Sequence, residues 1–225
     1  MLVLGATGGL GARVSHRLAD AGALLTLVSR DRDRLAALGL DGAALAPADL
    51  AERGAGERVV EAAVAAHGTL DGVVYLAGVV AFGGVGELGD DVLDQLLAMN
   101  LVAPVRVLRA ALPHLTASAA QARAPFVVHV SAVVAEMPTA GMAAYSASKA
   151  ALTAFDAAAA RELRRAKVRL VDIRPPHTET GLTTRAIAGN SPRMPAGLDP
   201  DAVAARIVRA IEDDERDVPS SAFTT

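Results

Sequence analysis

Tyr145 and Lys149, in the run GMAAYSASKAAL, place a phenol and an ammonium at i and i+4 on a predicted helix. Residues so spaced project from one face, a single turn apart. A phenol titrates at about 10 and exchanges protons poorly at neutral pH unless a neighbouring cation lowers its pKa. Lysine one turn away can supply that cation, and its ammonium can also hold a ligand hydroxyl. The same spacing also arises by chance in an alanine-rich helix, so the pair needs company. Gly5, Gly9 and Gly11 provide it, as G-x-x-x-G-x-G with Gly8 inside, directly after the apolar run LVL. Glycine in a strand-to-helix turn lets backbone amides close on a pyrophosphate that a side chain would hold off, and the helix N-terminus adds partial positive charge. The spacing differs from the general G-x-G-x-x-G fingerprint.

Short β-rich runs alternate with longer alanine-rich helical patterns, which predicts repeated βα units around a parallel sheet. Strands are expected at Leu2–Leu4, Leu24–Val28, Ala43–Ala46, Val73–Leu76, Phe126–Val130, Val168–Ile173 and Asp217–Pro219. Helices are expected at Leu10–Ala21, Ala51–His67, Val92–Leu115, Ala143–Ala166 and Asp201–Asp213, with a kink at Pro104. No linker or repeat divides residues 1–225, so one domain is expected, with a lid-like insertion at about 178–200 rich in Pro, Gly, Thr and Asn.

The length, 225 residues, suits one α/β domain with a full core. A formal charge of −3 and the lack of a basic arm argue against a nucleic-acid partner. There is no cysteine, which excludes a disulfide scaffold or thiolate metal site and suits a reducing compartment. MLVL runs straight into the glycine turn without a signal-peptide pattern, and no apolar run reaches the roughly 20 residues of a bilayer span. The reading is a cytoplasmic protein without a membrane partner. His67, His114 and His129 have no metal-ligand spacing, so no metal is expected.

LGATGGLG, LAG at 76–78, Asn100 in AMNLVAP, YSASK at 145–149 and RPPHTET at 174–180 occur in this order along almost the whole chain. Together they resemble the short-chain dehydrogenase/reductase family. The resemblance implies a Rossmann-type doubly wound parallel sheet in three α/β/α layers, and a nicotinamide-dependent oxidoreductase acting on a small-molecule carbonyl or alcohol. It implies that Tyr145 is the proton donor or acceptor, that Lys149 lowers its pKa and binds the nicotinamide ribose, and that Asn100 holds a relay water. Gly5, Thr7, Gly8, Gly9, Leu10 and Gly11 would line the dinucleotide, with Ala77 and Gly78 beside it. Pro175, Thr178 and Thr180 would cover the nicotinamide. Asp49 would meet the adenine amino group and Leu50 flank the ring, although Asp49 could equally cap the following helix. The helices at Val92–Leu115 and Ala143–Ala166 would pair in a homodimer or homotetramer.

The end of the second strand selects the dinucleotide. An acid there suits the ribose of NAD, an arginine the 2′-phosphate of NADP. Here Ser29 and Arg30 occupy the strand end, which favours NADP(H) over NAD(H); the competing role for Arg30 is a solvated helix-start residue balanced by Asp31 and Asp33. Three positions depart from the family pattern: Leu76 replaces an asparagine, Pro176 a glycine, and Ala132 the serine thirteen residues before the tyrosine. Adjacent residues of an extended strand face opposite ways, so Ser131 takes over the missing role only if the strand bends or bulges. Thr139 and His177 are further polar groups near that end. With the serine gone, the alternative to an enzyme is a dinucleotide-binding protein of the same fold with weak or no turnover.

Overall fold

The computed structural model describes residues 1–223. The elements run β1 (Leu2–Leu4), α1 (Gly9–Asp20), β2 (Thr26–Ser29), α2 (Arg32–Ala36), β3 (Ala44–Pro47), α3 (Ala55–His67) and β4 (Gly72–Tyr75). Then come α4 (Asp90–Leu97), a π-helical turn (Ala98–Val102), α5 (Ala103–Ala120), β5 (Phe126–Val130), α6 (Ala143–Leu163), β6 (Arg169–Ile173), α7 (Pro200–Glu212) and β7 (Asp217–Val218). All strand pairs are parallel and form one sheet of order β3-β2-β1-β4-β5-β6-β7. Helices on both faces bury β1, β4 and β6 completely, which is why these strands read as continuous apolar runs rather than alternating ones. One core lies under α3, α5 and α6, the other under α1 and α7.

The strand order reverses between β1 and β4, and ligands of open α/β sheets sit at that crevice. The two strands are in register Leu2↔Val73, Val3↔Val74, Leu4↔Tyr75. Their following turns therefore meet, bringing Gly5 against Ala77.

Three expectations shift. The helix expected from Ala51 starts at Ala55, with Gly54 as its left-handed N-cap, because the segment from Asp49 makes its own turn first. The short helix α2 was not expected; Asp31 creates it by accepting from the amides of Asp33 and Arg34. The irregularity expected at Pro104 appears one turn earlier, as the π turn. Ala103 N–H bonds Ala98 C=O there, and the Met99 carbonyl so released accepts from the Tyr75 hydroxyl at 2.9 Å. Burial pushes the Tyr75 phenol well above its ordinary range, so it stays a donor. The helical run Asp90–Ala120 is also long and apolar enough to cross a membrane by length and composition, although Asp94, Asn100, Arg106 and Arg109 interrupt its apolar character. In the fold its Leu96, Ala103, Val107, Ala111 and Leu115 are buried in the cores.

Candidate active site

α6 carries Tyr145 and Lys149 on its inward face, 7% and 5% exposed. The Lys149 Nζ donates to the Val130 carbonyl at the end of β5, 2.9 Å away. Asn100 reaches the same place from the π turn. Its Oδ1 accepts from Val79 N–H at 3.0 Å, and its Nδ2 donates to the Val79 carbonyl at 2.9 Å and to Ser148 Oγ at 3.1 Å. Asparagine is poorly suited to a helix interior, and here the π turn redirects it to stitch α6 to the loop after β4. Pro104 has no amide to offer the Asn100 carbonyl four residues earlier. A Cβ placed on Gly78 would lie 3.1 Å from Asn100 Oδ1 and 3.5 Å from Lys149 Nζ. Tyr145, Lys149, Asn100 and Gly78 thus converge beside the β1–β4 crevice.

The phenol lies in an apolar cluster with Val80, Phe82, Leu96 and Val134. Burial pushes it up to about 12. Burial likewise pulls the Lys149 ammonium down to about 8, against the opposing influence of Asp172 and Asp156. Burial thus acts on the phenol in the direction opposite to the lowering expected from Lys149, and Tyr145 is a protonated donor at neutral pH.

Ser131 does not join this group. Ala132 is fully extended, at φ −175° and ψ 163°, so no bulge interrupts the alternation. Ala132 packs against the Tyr145 cluster. Ser131 lies on the α6 side of the sheet, but its hydroxyl is committed elsewhere, donating to Asp172 Oδ1 at 2.5 Å and accepting from Thr153 Oγ1 at 3.2 Å. This geometry engages the Ser131 hydroxyl with Asp172 and Thr153, which does not fit the catalytic hydroxyl expected of it. Thr139 is exposed and donates to the Met137 carbonyl. His177 lies 3.4 Å from Glu179.

The glycine turn forms a tight backbone cradle. Gly5 has φ +80°, and a Cβ on it would sit 2.6 Å from Ala77 N; one on Gly11 would sit 2.0 Å from the Gly5 carbonyl oxygen. Side chains at either position would break the turn. The first turn of α1 contains no acid, and Gly8 at its N-cap adds no side chain, so the first-turn amides of Gly9, Leu10 and Gly11 face outward with the helix dipole behind them. Thr180 lies against Gly9, where a Cβ would come 2.6 Å from its own Cβ. Thr180 and the cradle are therefore neighbours, while Thr178 turns back to the Pro176 carbonyl at 2.9 Å. Pro175 is buried and its carbonyl accepts from Val133 N–H.

At the end of β2 the Ser29 hydroxyl is tied to the backbone of Asp31. Arg30 is exposed; the balancing role considered for Asp31 goes instead to capping α2. Arg34, which the sequence reading missed, donates to the Thr7 carbonyl at 3.0 Å and so reaches the glycine turn. The R-x-x-x-R spacing of Arg30 and Arg34 was the available signal. Asp49 accepts from Ala51 N–H at 3.0 Å, and Leu50 is buried. Asp49 therefore closes a turn of its own ahead of α3 and does not cap that helix, whose N-cap is Gly54. Around the crevice, these residues fit a dinucleotide: amides and a helix N-terminus for the pyrophosphate, and cations at the strand end.

Beside Tyr145 opens a cleft of about 410 Å³, mouth included. Phe82, Leu88, Leu96, Met142 and Ala188 line it, with Glu87 as its one charged residue. Residues 182–188 close over one side, pinned by Phe82 N–H to the Ala188 carbonyl and Ile187 N–H to the Val80 carbonyl, both 2.9 Å. Among the described residues, no cluster of His, Cys, Asp and Glu could hold a metal ion.

The short-chain dehydrogenase family model matches residues 1–190. A "Dehydrogenase/reductase SDR family protein 7-like" of Anopheles gambiae is 27% identical, the match covering 97% of this chain and 73% of that protein. Ipsdienol dehydrogenase of Ips pini is 28% identical over 84% of this chain and 78% of that one. Among solved structures, a metagenomic short-chain oxidoreductase in complex with NADP is 30% identical, with a TM-score of 0.78 over 97% of this chain and 94% of the other. The 3-ketoacyl-(acyl-carrier-protein) reductase of Brucella melitensis, complexed with NADH, shares the fold at a TM-score of 0.86 and 23% identity, over 98% of this chain and 96% of that one. Fold, motif order and family match agree: the chain belongs to the short-chain dehydrogenase/reductase family and is an oxidoreductase.

Proposed function

We propose that this chain is an NADP(H)-dependent carbonyl reductase of the cytoplasm, acting on a small or medium apolar ketone or the corresponding alcohol. The observation that carries the reading is the convergence of Tyr145, Lys149 and Asn100 between the glycine cradle and an apolar cleft. The nicotinamide, when bound, supplies or accepts the hydride. Tyr145 gives its proton to the carbonyl oxygen, and its protonated state at neutral pH suits reduction. Lys149 stabilises the phenolate that this leaves. Asn100, fixed through Val79 and Ser148, leaves its carbonyl free to hold a water beside the lysine. Steady-state turnover on a panel of apolar ketones with NADPH tests the reading; a panel without turnover defeats it. Reduction should decline as pH rises through about 8, because the Lys149 ammonium loses its proton there.

Ala132 favours a second reading, a dinucleotide-binding protein with weak turnover, because no side-chain donor faces the carbonyl from β5. The two are separated by restoring one. Ala132→Ser should raise kcat, by up to about 10²-fold, the usual worth of one oxyanion donor. Ser131→Ala should change kcat far less, since its hydroxyl is committed to Asp172. The reverse pattern would place Ser131 in the site.

The chain is further proposed to form a homodimer or homotetramer through α5 and α6, whose alanine-rich faces allow close helix packing. Light scattering should report an oligomer at micromolar concentration; a monomer would contradict this.

A further inference from the structure

The face of α6 that presents Tyr145 and Lys149 continues one and two turns on with Thr153 and Asp156. These meet a polar cluster buried in the layer between α6 and the sheet. His129 of β5 pairs with Asp156, Nδ1 to Oδ1 at 2.7 Å, and both are fully buried. Ser131 bridges Thr153 to Asp172 of β6. Asp172 in turn holds Arg174 at 2.7 Å, and Arg174 also contacts Asp217 at 2.8 Å and Glu136. None of these groups touches the cleft beside Tyr145, and the reaction does not use them directly.

Lys149 gives the cluster a purpose. Its ammonium is taken out of water, and the neutral carbonyl of Val130 is its hydrogen-bond acceptor. A buried ammonium keeps its proton only where opposite charge compensates the lost hydration. The groups standing around it are few. Its own helix offers Tyr145 and Asp156; β5 offers His129; β6 offers Asp172 with Arg174 behind it; β4 offers Tyr75, whose ring meets His129 edge-on at 6.1 Å; and the π turn offers Asn100, which is uncharged. One guanidinium shared among Asp172, Glu136 and Asp217 does not neutralise three carboxylates, so the group that includes Asp172 keeps net negative charge.

We propose that Asp172, seconded by Asp156, is a positioning residue for the reaction: the buried counter-charge that keeps Lys149 cationic next to Tyr145. Ser131, next to the Val130 that accepts from Lys149, then serves as the strut that orients the Asp172 carboxylate. The influence of both acids on the lysine agrees with this, each working against the effect of burial. The inference rests on Lys149 being the cation of the proposed reductase site, yet it is testable without turnover.

The chain has two lysines, Lys149 and Lys167, and Lys167 is exposed. With lysine labelled at 13Cε, NMR should show two resonances, assigned by Lys167→Arg. In the unmutated protein the Lys149 resonance should titrate near 8. Asp172→Asn keeps the shape and still accepts from Ser131, and it should lower that midpoint by about one pH unit, the lower end of what a close opposite charge supplies. Asp41→Asn removes an exposed acid outside the cluster and should leave the midpoint in place. Should Asp172→Asn not fold, Asp156→Asn removes the second acid and should also move the midpoint down. An unmoved midpoint in the folded acid variant overturns the inference. The decline of NADPH-dependent reduction with pH should move down in parallel, so activity lost at pH 7.5 returns on acidification. A lysine that shifts as expected in a protein without any turnover would count against the reductase and leave the role of Asp172 standing.

Discussion

Tyr145→Phe is expected to abolish carbonyl reduction while leaving dinucleotide affinity nearly unchanged. The substitution keeps the ring that fills the cluster with Phe82, Leu96 and Val134, so folding and cleft shape should survive. It removes the hydroxyl, and β5 offers the cleft no free donor in its place: Ala132 has none, and the Ser131 hydroxyl is committed to Asp172. General acid catalysis contributes about 10² to 10⁴ in rate. With no neighbouring hydroxyl to compensate, the loss should fall toward the upper end. Single-turnover measurements with NADPH, alongside a fluorescence titration of the cofactor, provide the check. Unimpaired reduction by the variant would sink the mechanism as a whole.

The second large effect concerns the dinucleotide. If Arg30 and Arg34 hold the 2′-phosphate, NADPH should bind about 10- to 150-fold more tightly than NADH, the range of a charged hydrogen bond at about 1.5–3 kcal/mol. Arg30 is exposed, while Arg34 already leans on the Thr7 carbonyl. Arg30→Ala should therefore remove most of the difference, and the double variant with Arg34→Ala the remainder. NADH affinity should barely move in either, since neither guanidinium has a partner on a bare ribose. Calorimetry with both dinucleotides measures this directly. Equal affinities in the unmutated chain would rule the assignment out.

Much of this architecture was legible in order along the chain. Period and length located each of the seven strands and five of the longer helical segments, because parallel strands buried on both faces read as short apolar runs between alanine-rich amphipathic ones. The i, i+4 spacing fixed Tyr145 and Lys149 to one face of α6. Glycine at 5 and 11 was interpretable from sequence since nothing larger fits where backbone closes on backbone. Alternation along an extended strand limited Ser131 to two outcomes, one for a regular strand and one for a bulged strand.

What the sequence could not supply were the pairings between segments distant along the chain and the degree of burial. The extended backbone at Ala132 chose between those two outcomes and sent Ser131 to Asp172, a residue forty-one positions away that only the adjacency of β5 and β6 brings near. The π turn appears one turn before Pro104 because Tyr75, on another strand, satisfies the carbonyl that the turn releases. Burial, which no local pattern measures, set the charge of the site. It pushed the Tyr145 phenol up and pulled the Lys149 ammonium down, with carboxylates from β6 and from two turns along its own helix opposing the latter. Local sequence determines which groups are offered; a low-dielectric interior assembled from remote segments decides which of them carry charge.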